Sequence, residues 1–234
     1  DKILKATDIL ILTLLTQTAK RGYEIARKYK TLRPDGKVIF GGIHVSFNVE
    51  EALPYCDQLV KGEGGYIILD IVENKFKEKV IETNRIKDLG NLPIPDLKAV
   101  YNHKRIKIAP ILTSLGCPWN CSFCCVTSMF GHEYRRFPIE QIIETIKKYK
   151  AKRVFFLDDN FCADKKRILE LFERIKEENL KFNWIAQVRA DLARDEEFVK
   201  EMALANCARV FIGFESVNQK SLDSVVKNAT IDTY

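Results

Sequence analysis

Apolar positions along the chain alternate between two rhythms. Short runs rich in Ile, Leu, Val and Phe occur at Ile9 to Leu15, Lys37 to Phe40, Gln58 to Val60, Ile111 to Leu115, Val154 to Leu157, Phe182 to Val188 and Arg209 to Phe214. Their length and near-continuous hydrophobicity predict strands buried on both faces. Between them lie helix-period segments at Gly22 to Tyr29, Lys165 to Lys176 and Asp195 to Ala205, with a shorter one near Val49 to Leu53. A helix starting at Pro138 places Ile139, Ile142, Ile143 and Ile146 at i, i+3, i+4 and i+7, a single apolar stripe, and proline suits its first turn. Strands alternating with helices in this way predict an α/β fold built of parallel βα units.

The rhythm lapses once. From about Asn74 to Pro110 the chain is charged and carries Pro93, Pro95 and Pro110, which disfavour regular structure. The expected organisation is therefore a doubly wound unit over residues 1–75, a linker over 76–109 and a second βα series over 110–234. The pattern is still running at Tyr234, so the chain reads as the latter part of one domain followed by about four strands of another. An exposed sheet edge is expected at Arg209 to Phe214.

Composition narrows the class. The chain has 234 residues, 46% of them hydrophobic and 30% charged, which fits a packed protein and neither a disordered nor a fibrous one. The net charge of +6 arises from 38 basic residues interspersed among 32 acidic ones, without the basic stripe of a nucleic-acid interface. The run Ile9 to Leu15 falls far short of the roughly 20 residues needed to span a bilayer. The start, Asp1-Lys2-Ile3-Leu4-Lys5, has no secretion-signal pattern, and the chain reads as cytoplasmic. Its seven cysteines are odd in number and unevenly spaced, which favours reduced thiols over a disulfide framework.

Four of those cysteines fall within nine consecutive positions. Gly116-Cys117-Pro118-Trp119-Asn120-Cys121-Ser122-Phe123-Cys124-Cys125 carries a C-x-x-x-C-x-x-C spacing just after a predicted strand. Three thiolates on one short loop suit a [4Fe-4S] cubane whose fourth iron has no protein ligand. A structural zinc site would want a second ligand pair, and a ferredoxin would want a fourth cysteine at its own offset. Cys56, Cys125, Cys162 and Cys207 are read as packing residues.

The loop resembles the signature of the radical S-adenosylmethionine (SAM) superfamily, with Phe123 as the aromatic before Cys124, and the resemblance covers about Pro110 to Thr230. It implies a partial (β/α)6 barrel in which Cys117, Cys121 and Cys124 hold the cluster and the open iron chelates the amine and carboxylate of SAM. One-electron reduction then gives a 5′-deoxyadenosyl radical that takes hydrogen from an unactivated carbon. It further implies SAM contacts at Phe123 and at the downstream strand ends: Asp158 or Asp159 for the amino group, Arg189 for the carboxylate, and Glu215 with Ser216 for the ribose. The family's usual Gly-Gly-Glu is here Asp158-Asp159-Asn160. Read from the residues alone, Asp158 can instead cap the following helix, and Arg189 can pair with Asp191.

The first unit resembles the latter half of the cobalamin-binding domain that precedes many radical SAM domains. The residues carrying the likeness are Thr13-Leu14-Leu15, Gly41-Gly42-Ile43-His44 and Gly62-Glu63-Gly64. The resemblance implies that Thr13, Leu15, Gly41, Gly42, His44, Gly62, Glu63 and Gly64 line a cobalamin cleft, with glycine where backbone must approach a bulky ligand. Ordinary turn chemistry would also explain the glycines. The implied function is cobalamin-dependent radical SAM chemistry on a small molecule, with C-methylation the commoner outcome and a ring-forming or ring-contracting step the other, and with an electron donor such as flavodoxin or ferredoxin. The alternatives are an electron-transfer or structural iron-sulfur protein and an inactive fragment.

Overall fold

The structure, a computed structural model, describes residues 1–227 and 229–233. The chain divides into two compact units, Asp1–Ile86 and Lys87–Tyr234.

In the first unit α1 (Lys2–Lys5) leads into β1 (Ile9–Thr13), α2 (Thr16–Leu32) and β2 (Lys37–Gly41). Then follow α3 (Ile43–Phe47), α4 (Val49–Ala52), β3 (Gln58–Lys61), α5 (Ile68–Val72) and β4 (Val80–Glu82). The strands form one sheet in the order β1-β2-β3-β4, each pair parallel. The helix α2 turns Ala19, Gly22, Tyr23, Ala26 and Tyr29 to the core, a stripe of helical period that packs with Val38, Phe40 and Leu59. The hydroxyl of the buried Tyr29 donates to the carbonyls of Thr7 and Asp8 at 2.9 and 2.7 Å, tying the helix to the start of β1. Ile39, Val60, Ile67, Ile71 and Ile81 form a separate cluster, so the sheet buries both faces.

The strand β4 lies within the span that the sequence pattern assigns to a linker. Its three residues are flanked by Lys77, Glu78 and Lys79, so no apolar run marks it, yet it pairs with β3 in the register Leu59↔Val80 and Val60↔Ile81. From Lys87 onward that span belongs to the second unit. There Asp88 and Asp96 cap short 3-10 turns, and the carbonyls of Leu92, Ile94 and Pro95 accept bonds from Gln141, Lys148 and Tyr149.

The second unit runs β5 (Ala109–Ile111), β6 (Ser114–Leu115), α6 (Cys125–Phe130), β7 (Arg135–Arg136), α7 (Ile139–Tyr149) and β8 (Arg153–Phe156). It continues with α8 (Lys165–Glu177), β9 (Asn183–Val188), α9 (Glu196–Leu204), β10 (Cys207–Ile212) and α10 (Gln219–Ser224). Four strands make a parallel sheet in the order β10-β9-β8-β5, while β6 and β7 form a separate antiparallel rung. The predicted strand Ile111 to Leu115 is thus broken after Ile111: the Thr113 N–H and the Thr113 and Ser114 hydroxyls bond the carboxylate of Asp158, and Ser114 and Leu115 pair with β7 rather than with β8. The strand β10 lies at the sheet edge and leaves Phe211 and Ile212 exposed. No helix of the described residues is long and apolar enough to cross a membrane.

Residues from α7, α8 and α9 pack on one face of this sheet around Trp184. The indole is fully buried with the rings of Phe156, Phe161 and Phe172 at 5.7, 5.2 and 5.5 Å, and its Nε1 donates to the Ala205 carbonyl at 2.7 Å. Trp184→Ala is expected to lower stability by about 4 kcal/mol, since it opens a large cavity and removes a buried hydrogen bond. Urea denaturation followed by far-ultraviolet circular dichroism measures this; a change below about 1 kcal/mol would deny Trp184 its central place.

Candidate functional site

The site starts where β5 ends. After the Ser114–Leu115 rung the chain turns through Gly116, whose φ is +87° and whose absent Cβ would stand 2.3 Å from the Glu133 carbonyl oxygen, so only glycine fits this corner. The loop Cys117 to Cys124 follows, closed by the Cys124 N–H donating to the Cys121 carbonyl at 3.0 Å.

Cys117, Cys121 and Cys124 are partly exposed and form no disulfide. Cys124 lies within electrostatic reach of both Cys117 and Cys121, and Asp159 within reach of Cys117 and Cys124. Burial pushes the thiols of Cys117 and Cys124 up, while the backbone N–H groups of Trp119 and Val126, directed at their sulfurs, pull the other way. Among the described residues no three His, Cys, Asp or Glu side chains converge on one metal ion. Zinc ligands would stand only about 4 Å apart. Soft thiol donors spread along one loop fit a multi-iron cluster, in which each ligand meets a different iron.

The neighbouring strand ends surround this loop. Asp159 follows β8 beside the thiols; burial and then the charge of Asp158 raise its carboxyl, opposed by the Gly116 N–H. The guanidinium of Arg189, past β9, lies 4.0 Å from the centre of the Trp119 ring, donates to the Lys227 carbonyl at 2.9 Å and meets Asp191 at 3.3 Å. Glu215 has a left-handed backbone, φ +65°, and pairs with Lys227 at 3.0 Å. The Ser216 hydroxyl accepts from the Asn218 N–H, and Phe123 is half exposed beneath the Lys227 ammonium. A cavity of about 210 Å³ lined by Trp119, Asn160, Cys162, Lys165 and Arg189 adjoins the loop.

Three expectations need correction here. Asp158 does not face a ligand: it is wholly buried, accepting from the Thr113 N–H at 3.1 Å, the Thr113 hydroxyl at 2.7 Å and the Ser114 hydroxyl. Nor does it cap a helix, a part taken by Asp164. Cys125 is not a packing residue, because the turn into α6 leaves it exposed. Lys227 escaped the sequence reading altogether; a lone lysine in a polar stretch carries no motif, and its partners come from three other loops.

In the first unit Thr13 and Gly41 sit side by side in the β1–β2 register, at strand ends shared with Leu15, which is half exposed. Gly42, at φ +97°, abuts Leu14, where a Cβ would stand 2.9 Å from its backbone. A Cβ on Gly41 would meet nothing nearer than the Val60 Cβ at 4.0 Å, whereas Gly62 lies under Thr83 and Gly64 against Val60. His44 and Glu63 are corrected as lining residues, since both turn inward. The His44 ring bonds the Tyr23 hydroxyl at 2.9 Å and Thr16 at 3.3 Å, and Glu63 accepts from the Ile86 N–H at 2.9 Å.

Parallel strands that deliver a three-thiol loop and charged strand ends to one rim define an iron-sulfur α/β protein. Residues 111–234 match the Radical SAM superfamily, and the chain belongs to that family, whose cofactors are a [4Fe-4S] cluster and SAM. It is 30% identical to an uncharacterized methyltransferase of Pyrococcus horikoshii over 95% of its own length and 55% of the relative's. It is 31% identical to bacteriochlorophyllide d C-8(2)-methyltransferase of Chlorobaculum tepidum over 94% of its length and 52% of the relative's. The chain thus spans about half the length of the curated relatives it matches. Its fold matches the radical SAM methyltransferase TsrM of Kitasatospora setae, solved with tryptophan and a SAM analogue, with a TM-score of 0.73 at 16% identity over 95% of this chain and 52% of that one. A second TsrM structure, with cobalamin and a [4Fe-4S] cluster bound, matches with a TM-score of 0.69 at 17% identity over 95% and 53%. The four-stranded second sheet accordingly is part of a radical SAM barrel.

The thiols should sort by environment. Burial pushes Cys56 up to about 11 and Cys162 up to about 12, so at pH 8 only about one in a thousand and one in ten thousand are thiolate. In reduced, metal-free protein a thiol reagent should label Cys125 promptly and leave Cys56 and Cys162 unmodified until denaturant is added, as read by peptide mass spectrometry. Fast labelling of Cys162 in the folded protein would contradict the packing described.

Proposed function

We propose that this protein is a cobalamin-dependent radical SAM enzyme that methylates an unactivated carbon of a small molecule. The observation that carries the reading is the placement of Cys117, Cys121 and Cys124 on one loop at the carboxyl end of β5, inside the residues matched by the family. These three thiols would ligate the [4Fe-4S] cluster and leave one iron for SAM. When bound, the cluster supplies the single electron for reductive cleavage of SAM. Around it, Asp159 and Arg189 offer opposite charges for the ammonium and carboxylate of a methionine moiety, and Glu215 and Ser216 offer hydrogen-bonding groups for a ribose. Phe123, half exposed on the same loop, offers an apolar face to SAM.

Cobalamin is assigned to the rim of the first unit on Thr13, Leu15, Gly41 and Gly42, which leave small and apolar groups facing outward. The fold's likeness to TsrM, which was solved with cobalamin bound, supports the assignment, as do relatives named methyltransferases. An electron donor of the flavodoxin or ferredoxin class is proposed as partner, and the cytoplasm as the compartment, where thiols stay reduced.

Anaerobic reconstitution with iron and sulfide tests the ligand set. Cys117→Ala, Cys121→Ala and Cys124→Ala should each lower bound iron about tenfold or more, while Cys125→Ala and Cys207→Ala retain it. The electron paramagnetic resonance spectrum of the reduced cluster should change when SAM is added; an unchanged spectrum would leave an electron carrier as the function. Protein incubated with hydroxocobalamin and desalted should keep the cobalamin absorbance, and colourless protein would refute that part.

A further inference from the structure

Lys227 joins three parts of the rim that are distant in sequence. Only 6% of it is exposed, a degree of burial that lysine adopts when its ammonium is paired. The Nζ meets the Glu215 carboxylate at 3.0 Å and lies 5.8 Å from the centre of the Phe123 ring, within cation–π reach. Its carbonyl accepts from Arg189 at 2.9 Å, and two residues earlier the Val225 carbonyl accepts from the Ser122 N–H at 3.0 Å. Gly213 makes room for the pair: a Cβ there would stand 2.5 Å from the Glu215 oxygen and 3.3 Å from the lysine nitrogen.

A loop with three partly exposed thiols and few bonds of its own pays conformational entropy to adopt one arrangement. The contacts on Ser122 and Phe123 fall between Cys121 and Cys124, on the arm whose other backbone bond among the described residues is the Cys124–Cys121 turn. We propose that Lys227 is a positioning residue that orders this arm, together with Glu215, before any metal centre is assembled. The purpose of that order rests on the cluster reading above, but the order itself belongs to the metal-free chain and is tested there.

Lys227→Met keeps the apolar stem in place and removes only the ammonium, and Glu215 is exposed enough for water to solvate it once unpaired. In reduced, metal-free protein this variant should raise the labelling rates of Cys121 and Cys124 about tenfold, with Cys56 and Cys162 still protected. Lys227→Arg, which keeps the charge and its affinity for carboxylate and ring, should restore slow labelling. Unchanged rates at Cys121 and Cys124 in the Met variant overturn the proposal. So does loss of protection at Cys162, which would make Lys227 a general stability residue, and so do equal rates in the Arg and Met variants.

Discussion

Thr113 is gripped from both sides by buried charged groups, and the rim of the second unit hangs on that grip. Asp158, from the end of β8, takes its N–H and hydroxyl, while Arg167, from α8, donates to its carbonyl at 3.2 Å and to that of Phe137 at 2.5 Å. Burial raises the carboxyl of Asp158 and lowers the guanidinium of Arg167, and the nearby Asp158 charge opposes the second shift. Leaving one such charge buried without its partners costs several kcal/mol, so the arrangement admits little slack. Its consequence is directional. Because Thr113 is bonded downward into the polar core, β5 cannot run on through Leu115, and the chain must turn at Gly116 with the cysteine loop aimed over the ends of β8 and β9.

Both units obey the rule that loops at the carboxyl ends of parallel strands carry the ligand-facing groups, yet they use their ionisable residues oppositely. In the first, His44 is spent on Tyr23 and Thr16, with Glu51 3.6 Å away, and Glu63 on a backbone N–H. What remains at that rim is small or apolar, a surface suited to recognition by shape. In the second, the inward role falls to Asp158 and Arg167, and thiols, Asp159, Arg189 and the Glu215–Lys227 pair stay at the rim. Such a rim suits a polar, charged ligand.

The sequence pattern located most strands and helices because buried parallel strands read as continuous apolar runs and their helices as stripes. It missed β4, where three residues suffice once β3 supplies a ladder, and it ran β5 through Thr113, whose preference was decided by a carboxylate 45 positions away. The cysteine loop was legible because its chemistry is local, three thiols within eight residues. Asp158 and Asp159 were not separable on paper, since which of two adjacent aspartates turns inward depends on strand register. Lys227 was invisible for a similar reason: an exposed and a buried lysine look alike until the fold brings Glu215, Phe123 and Arg189 around one of them.

The electrostatics of the rim bear on how the loop survives without metal. Arg189 pairs with Asp191 and Lys227 with Glu215; Arg189 still pulls the Cys117 thiol down, but less than burial pushes it up. Asp159 has no cation at ion-pair distance among the described residues, and its negative charge adds to burial in keeping Cys117 and Cys124 protonated. Thiols in that state are poor nucleophiles and poor partners for disulfide exchange, which protects Cys117 and Cys124. Ligation requires thiolates, and a metal cation adds positive charge that offsets burial. Burial thus sets Cys117 and Cys124 against ionisation, and metal ligation has to overcome it.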